Sequence, residues 1–424
     1  MLKQLKHDFH WGDTELTWFN SILCLGALIS ALIARITVER FGRKFNIMLC
    51  TLPLCASWVL IGSAQGTWMA FIGRFLTGFG LGIETTSVPT YIAEIAPAKY
   101  RGSLSNMNQL GVTFGFLLAY VTGAFVSWCW LAIVAIFPAA LMAIFMMFSP
   151  ETPRWLIQHG KMHEGCLALL FLRGTSYREC QLEAEEIRAT LDTYEPMTMG
   201  EIKKPSVYRP LLIASILMVF QQFSGINAVF SYARIMLDDA GISNPEVAEI
   251  SLTVMQIIAT AVSCLIVDKV GRRILLIVPG AVMSISMVML GVGEHYKKIP
   301  KEFTMVFLCL YIIGFSIGWG PLPWTVMSEV LSTRIRARAT SLATAINWLC
   351  NFLVVKFYVR MKISFGVSGL YIFYSSVCCL SAVYVFFVLP ETKGKTLEEV
   401  EKLFKGRRKG LLAHEDSSSP YGTA

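Results

Sequence analysis

The sequence has little charge. Aspartate, glutamate, lysine and arginine make up 16% of its 424 residues, against about 25% in a typical soluble chain. The charges that it has are gathered in short clusters, and the apolar runs between them reach roughly 20 residues, enough to cross a bilayer as a helix. A soluble fold would have no polar face left for water. This pattern therefore predicts an all-α membrane protein.

Several catalytic and binding signatures are also missing. The eleven cysteines include no Cys-x-x-Cys pair, and His159 and His163 have no third ligand nearby, which argues against a metal site. No Ser/His/Asp set is present, so we do not expect an enzyme. The net charge of +8 forms no single basic stripe, which argues against a nucleic-acid partner. Gly78-Phe-Gly-Leu-Gly82 follows no strand, so it predicts close helix packing and no nucleotide loop. We expect no metal and no cofactor.

About eleven segments have the length and apolarity of membrane-spanning helices. Five precede a polar stretch and six follow it, which predicts two helical bundles. The expected domains are 1–149, an N-terminal bundle; 150–208, a cytosolic linker with short helices; 209–390, a C-terminal bundle; and 391–424, a cytosolic tail. The predicted spans run near Thr17–Ile36, Asn46–Gln65, Thr67–Ile95, Ser103–Val126, Trp128–Ser149, Arg209–Leu237, Val247–Val267, Ile274–Gly293, Glu302–Leu331, Ala337–Tyr358 and Ser368–Leu389.

Lysine and arginine are concentrated in alternate loops. The turns at 40–44 and 269–273, the linker and the C-terminal tail belong to this basic set. By the positive-inside rule the basic set faces the cytosol. The C-terminus is therefore predicted inside, and Met1 outside because the number of spans is odd. The polar residues from Met1 to His10 predict no cleavable signal peptide.

The chain contains an internal repeat. Glu39-Arg-Phe-Gly-Arg-Lys44 is matched by Asp268-Lys-Val-Gly-Arg-Arg273, and the Pro-Glu-Thr turn at 150–152 is matched by another at 390–392. The matching order argues for two duplicated halves, an architecture that holds substrate between the halves near the midplane. The first basic turn follows one span, whereas the second follows two. The first half is therefore expected to lack the counterpart of one helix.

Further motifs stand in order along the chain, and together they carry a family resemblance. They are Gly73-Arg74-Phe75, Pro89-x-Tyr91-x-x-Glu94, Arg101-Gly102, Gln221-Gln222-x-x-Gly225-Ile226-Asn227, Gly320-Pro321-x-Pro323-Trp324 and Asn347-Trp348. From roughly Thr17 to Leu403 the sequence resembles the sugar porter family of the major facilitator superfamily, which includes intracellular-type facilitative glucose transporters and insect trehalose transporters. The resemblance implies the major facilitator fold and a small sugar as substrate. It also implies that the family's first helix is the missing one.

Amide side chains on apolar helices point to a substrate site. Gln221, Gln222 and Asn227 share one such helix, and polar groups inside a membrane usually face an aqueous cavity or a partner. Amides both donate and accept hydrogen bonds, which suits uncharged polyols. The ring of Trp324 suits the apolar C–H surface of a sugar. By resemblance, the residues at the family's sugar-binding positions are Gln109, Gln221, Gln222, Asn227, Trp324, Asn347 and Asn351.

A second group of residues is expected to gate the path. Arginines of the basic turns can pair with carboxylates at neighbouring helix ends, and in the family such pairs close the cytosolic side. An alternative role is to anchor helix ends as topology signals. By resemblance, Tyr232 matches an outer gating aromatic. The expected gate and latch residues are Arg43, Glu94, Arg101, Glu151, Arg154, Tyr232, Arg272, Glu329, Arg336 and Glu391.

Three functions remain open from the sequence. The leading one is facilitated diffusion of a hexose or other small sugar across a plasma membrane or endomembrane, with the bilayer and the sugar as partners. The alternatives are proton–sugar symport and a truncated protein that binds sugar without moving it. Family symporters carry the proton-binding acid on the first helix, so the residues here do not decide. We expect an incomplete gene model or a truncated isoform that transports poorly alone. The sequence leaves the sugar and the oligomeric state undetermined.

Overall fold

The computed structural model describes residues 2–97, 100–192, 205–231, 244–296, 301–331 and 336–393, with residues 400 and 404. Every regular element in these ranges is helical, which confirms the predicted all-α class. A π-helical turn, Phe315–Trp319, lies between α13 and α14. The helices are α1 (Leu2–Asp8), α2 (Asp13–Phe41), α3 (Arg43–Gly62), α4 (Thr67–Ile95), α5 (Arg101–Phe125), α6 (Trp128–Phe148), α7 (Pro153–Gln158), α8 (Met162–Arg173), α9 (Tyr177–Asp192), α10 (Pro205–Phe223), α11 (Pro245–Val270), α12 (Arg272–Tyr296), α13 (Lys301–Gly314), α14 (Leu322–Val330) and α15 (Arg336–Val388).

Eight helical segments are long and apolar enough to cross a membrane. α4 and α5, of 29 and 25 residues, have the length of spans but are not among the eight. α4 carries Arg74, Glu84 and Glu94. α15 counts once although Gly366, at φ +70°, divides it into two segments. With α4 and α5 included and α15 divided, the described helices match the five and six spans that the sequence predicts.

Glycines allow α2 and α4 to pack side by side. A Cβ at Gly26 would overlap the backbone of Phe75, and a Cβ at Gly78 would overlap the carbonyl of Leu23. Small residues let two spans approach this closely. The predicted packing role of the glycines around 78–82 is therefore confirmed.

Two seams join the halves of the molecule. α2 lies against α15 along one seam, and α5 lies against α11 along the other. In the second half, α10 packs against α14 and α15. Among the described residues, no helix takes the corresponding place between α4, α5 and α6. A Cβ at Gly111 or Gly115 of α5 would accordingly meet nothing within 4 Å.

Three short helices, α7 to α9, form the linker at one end of the bundle, called the linker side below. α9 is the longest of the short helices that the sequence predicts in the linker. The linker has a small apolar core, which includes Cys166, Leu169 and Cys180. Burial raises the pKa of the Cys166 thiol, which keeps this side chain a neutral, apolar packing group.

The short helix α1 caps the opposite end of the bundle, called the α1 side below. The backbone N–H of Trp128 donates to Gln4 Oε1 at 3.0 Å, and its indole Nε1 donates to Asp8 Oδ2 at 2.8 Å. The hydrogen bond from Trp128 lowers the pKa of the Asp8 carboxyl. Nε1 of Trp11 donates to Thr67 Oγ1 at 2.9 Å. The start of the chain thus ties together the beginnings of α4 and α6.

Candidate substrate site and gate

α10 is interrupted inside the bundle. It ends two residues before Gly225, which has φ +93°, and helical structure resumes over 226–231. Glycine adopts this φ without strain, and a Cβ at this position would lie 2.7 Å from the ring of Tyr374. Gln221 and Gln222 precede the break and Asn227 follows it. The break therefore gathers three amide side chains where the span has no continuous helical backbone.

Two prolines open the backbone of a facing span. Pro321 and Pro323 have no N–H, so the carbonyls four residues before them lose their helical partners. The hydroxyl of Ser263, on α11, donates to the first of these carbonyls at 2.7 Å. Nε2 of Gln221 donates to the second, that of Trp319, at 2.8 Å. Side chains of α10 and α11 thus replace hydrogen bonds that the span cannot make for itself.

Four amide side chains form one network next to these breaks. Asn347 on α15 donates through Nδ2 to Gln221 Oε1 and accepts at Oδ1 from Gln222 Nε2, both at 2.9 Å. Nδ2 of Asn227 donates to Gln222 Oε1. Gln221, Gln222 and Asn347 are at most 5% exposed. Like most buried polar groups, these amides are hydrogen-bonded.

Two other buried amides have unused acceptor capacity. Among the described residues, Oε1 of Gln256 on α11 and Oδ1 of Asn351 on α15 have no hydrogen-bond partner. Leaving such a group unpaired costs about 1–3 kcal/mol. Asn351 lies one helical turn after Asn347, a member of the network. A ligand hydroxyl in the path would supply the donor that these oxygens lack.

The structure brings together four of the seven predicted sugar-binding residues, Gln221, Gln222, Asn227 and Asn347, as described above. Of the others, Gln109 is half-buried on α5. Trp324, on α14, packs against the core of the second half. Within the described ranges, no hydrogen bond joins Gln109 or Trp324 to the amide network.

The sequence did not identify Thr85 as part of the site. Nε1 of Trp348 donates to Thr85 Oγ1 at 3.2 Å, which joins α15 of the second half to α4 of the first. Trp348 directly follows Asn347, so this bond reaches the first half one residue away from the amide network. Trp348 belongs to a recognisable motif, but Thr85 carries no such signal, and only the fold reveals the pair.

On the linker side, each half contains a buried arginine–glutamate pair. Nη2 of Arg43 lies 2.7 Å from Glu94 Oε1 in the first half. In the second half, Nη2 of Arg272 lies 2.8 Å from Glu329 Oε1 and 3.0 Å from Asp268 Oδ1. Each pair joins helices of the same half. Neither pair by itself holds the two halves together.

Glu151 and Glu391 bind backbone N–H groups. Glu151 accepts from the first two N–H groups of α3, at 3.1 and 3.2 Å, and Glu391 does the same for α12, at 3.1 Å for both. Helix N-termini leave these groups without intrahelical partners and favour negative charge. The repeat seen in the sequence therefore has the same cap in both halves.

The halves meet on the linker side through α5 and α11. Oγ of Ser103 donates to Asp268 Oδ2 at 2.8 Å, and Asn106 Oδ1 accepts from Thr325 at 3.1 Å. Asp268 thus binds Arg272 in its own half and Ser103 across the seam. The sequence did not assign Asp268 this role, although it begins the second basic turn.

Three predicted gate residues lie wholly or partly outside the described residues, and a fourth, Arg154, lies on the linker side. The side chains of Arg101 and Arg336, and the whole of Tyr232, lie outside the described residues. Arg154 is half-buried in α7, on the linker side. The pairs described above are therefore the part of the predicted latch that has a described geometry.

Comparison with known proteins finds relatives that match almost the whole chain. The model of the family "Sugar (and other) transporter" matches residues 4–404. The chain is 34% identical to mouse solute carrier family 2, facilitated glucose transporter member 8, over 93% of its length and 87% of that protein. It is 35% identical to sugar transporter ERD6-like 6 of Arabidopsis thaliana, over 92% and 83%. It is 33% identical to facilitated trehalose transporter Tret1 of Polypedilum vanderplanki, over 94% and 81%.

Solved structures share the fold. The proton:xylose symporter XylE bound to 6-bromo-6-deoxy-D-glucose superimposes with a TM-score of 0.85 at 26% identity, over 95% of this chain and 94% of that one. The inward-open conformation of the xylose transporter XylE from E. coli superimposes with a TM-score of 0.76 at 27% identity, over the same shares. The conformation described here is closer to the ligand-bound form.

Proposed function

The chain belongs to the sugar (and other) transporter family, and from this premise we propose that it moves a hexose or other small sugar across a membrane by facilitated diffusion. It is an integral membrane transporter with the major facilitator fold, and it is not an enzyme. Relatives named as facilitated transporters of glucose and of trehalose support movement of the sugar without an ion.

The observation that carries this proposal is the network of uncharged amides beside two interrupted helices. Gln221, Gln222, Asn227 and Asn347 offer both donors and acceptors and no formal charge, the chemistry that matches sugar hydroxyls. Broken helices near the midplane are typical of substrate sites in transporters with repeated halves. We infer that the sugar binds between this network and α4.

We infer that the linker side faces the cytosol and is closed in this conformation. The bond from Ser103 to Asp268 crosses the seam there. Release of such bonds, with rocking of one half against the other, would open the site to the cytosol. The contacts named across this seam among the described residues are hydrogen bonds, each worth about 0.5–3 kcal/mol net, so sugar binding and thermal motion suffice to move the gate.

Proton–sugar symport is the second candidate. The matching structure of XylE is named a proton:xylose symporter, and α4 carries Glu84, a carboxyl for which no hydrogen bond or ion pair occurs among the described residues. Ionisable groups inside spans are rare and often mark proton pathways. The two candidates differ in whether a proton gradient drives accumulation of the sugar.

Purified protein in proteoliposomes tests the proposal with labelled glucose, fructose and trehalose. Facilitated diffusion predicts saturable uptake of at least one sugar that stops at equilibrium and does not accumulate under an inward proton gradient. Accumulation driven by that gradient would indicate symport. Sugar binding without uptake would support the non-transporting alternative. Absence of both binding and uptake for all three sugars would contradict a sugar substrate.

Single amide substitutions test the site. Gln222→Ala and Asn227→Ala should each weaken sugar binding by about 1–3 kcal/mol, because each leaves polar partners unpaired. The matched control is Gln181→Ala, which removes an exposed amide from α9 and should leave binding unchanged. Binding that is unaffected by both site substitutions would move the site elsewhere.

A further inference from the structure

A cation and an indole ring meet across the seam between α2 and α15, towards the α1 side. Nζ of Lys356 lies 3.4 Å from the centre of the Trp18 ring. Trp18 stands near the start of α2 in the first half, and Lys356 stands on α15 in the second. The contact therefore joins the two halves at the end of the molecule opposite the linker.

The Trp18 ring is the described partner of this ammonium group. No carboxylate of the described residues lies within ion-pair distance of Lys356, and Arg360, one turn later, carries the same charge. A cation near a membrane needs a compensating partner. The face of an indole is the most favourable aromatic site for one. Separation of the halves at this end would remove that partner.

Phe352 completes the contact. It lies one turn before Lys356 on α15, and its ring centre is 6.4 Å from that of Trp18. Trp18 is 39% exposed, so its ring is held at the rim of the seam and is not part of a packed core. A contact of this kind can form and break without leaving a cavity behind.

The second seam has an aromatic contact towards the same side. The rings of Phe116 on α5 and Phe230, in the helical segment after Gly225, are 5.5 Å apart. The hydroxyl of Tyr120 donates to the carbonyl of Phe230 at 3.5 Å. Aromatic contacts therefore lie on both flanks of the α1 side, whereas hydrogen bonds such as that of Ser103 with Asp268 join the linker side.

We propose that Trp18 and Lys356 are gating residues: their cation–π contact closes the path on the α1 side and breaks whenever the path opens there. This inference rests on the proposed alternating access. It assigns a role to two side chains that belong to neither the amide network nor the latch pairs. The contact is reversible because it is a single pair at a partly exposed rim.

Hydrogen–deuterium exchange of the full chain in lipid nanodiscs, without sugar, tests the proposal. Trp18→Leu and Lys356→Met should speed exchange about 3- to 10-fold in residues 113–125 of α5 and 226–231, which form the opposite flank of the α1 side. Lys356→Arg should leave exchange unchanged, because a guanidinium also stacks on indole. The double variant should exceed neither single variant, as expected for one shared contact.

Matched controls separate gating from general loosening. Trp130→Leu removes an exposed indole from α6, and Arg360→Met removes an exposed cation one turn beyond Lys356. Both should behave as the parent. Faster exchange limited to the segments around residues 18 and 356 would indicate a local structural role and would overturn the proposal, as would no change. Since no sugar is present, these results are independent of uptake. Absence of uptake together with the expected exchange pattern would contradict the proposed sugar transport and leave the gating proposal standing.

Discussion

A single residue, Gly225, sets the geometry of the candidate site, because it breaks the helix between Gln222 and Asn227. Gly225→Ala should abolish most sugar binding and lower the unfolding temperature, because the φ of +93° costs about 1–3 kcal/mol for alanine and the new Cβ meets the Tyr374 ring. Thermal unfolding in detergent, with and without sugar, measures both effects. Gly111→Ala is the control: a Cβ there meets nothing, and the helix gains about 0.5–1 kcal/mol. Equal losses in the two variants would contradict this account.

The sequence predicted the amide side chains of the candidate site but not the groups that they contact. Gln221 and Gln222 stand out because they interrupt an apolar run. That Gln221 binds the carbonyl of Trp319 depends on where a proline-broken helix, 98 residues later, comes to lie. Thr85 gave no signal, because a threonine in a span most often bonds its own helix. Pattern identifies unusual residues, whereas tertiary packing decides what they contact.

α1 provides a pH-dependent element. The Trp128 hydrogen bond lowers the pKa of Asp8 from its ordinary value of 3.8. The folded-state pKa is therefore below that of the unfolded chain, so the stabilisation is present above pH 3.8 and is lost as the pH falls through the lowered pKa. Exchange of the amides of residues 2–11, corrected for intrinsic rates, should be faster at about pH 3 than at about pH 6, with the rise confined to pH values below 3.8.

An Asp8 variant isolates this effect. Asp8→Asn cannot lose a charge, so its exchange at residues 2–11 should be raised at both pH values and should change little between them. Glu186→Gln, on exposed α9, should keep the parent's pH dependence. A pH dependence that persists in the Asp8 variant would assign the effect to another group.

The predicted bounds of α4 are those observed, Thr67–Ile95, whereas other helices extend beyond their predicted apolar runs. α2 runs from Asp13 to Phe41, beyond the predicted Thr17–Ile36, because polar residues continue a helix once the span is formed. The two last spans are separated at Gly366, whose φ of +70° and ψ of 169° are not helical, as the hydropathy pattern predicts. α1 was not predicted, because seven residues give too short a period and its stability comes from contacts with Trp128.

Topology can be tested on the whole molecule. The lysine and arginine bias predicts that the tail and the linker are cytosolic. Epitope tags at Ser418 and near Gly174 should therefore be stained only after permeabilisation of cells. A tag near Lys298, in a loop predicted on the other side, is the matched control and should be stained in intact cells. Staining of either cytosolic tag without permeabilisation would reverse the orientation.

The two halves differ by one helix among the described residues. α10 packs against α14 and α15 in its half, whereas no described helix takes the corresponding place between α4, α5 and α6. We propose that an added first helix from a relative would fill this place and raise sugar uptake several-fold over the 424-residue chain, since polar side chains facing hydrocarbon are costly. Proteoliposome uptake by the two versions measures the difference. Equal, robust uptake would mean that the described helices suffice.

The prolines of the α13–α14 span have a mechanical consequence. A helix normally resists bending because backbone hydrogen bonds join each turn to the next. Here two of those hydrogen bonds are replaced by bonds from side chains of other helices, Ser263 and Gln221. The stiffness of the joint between α13 and α14 therefore depends on neighbouring helices. A ligand that competes for the Gln221 amide also loosens the joint. Sugar binding at Gln221 and loosening of the α13–α14 span would therefore occur together.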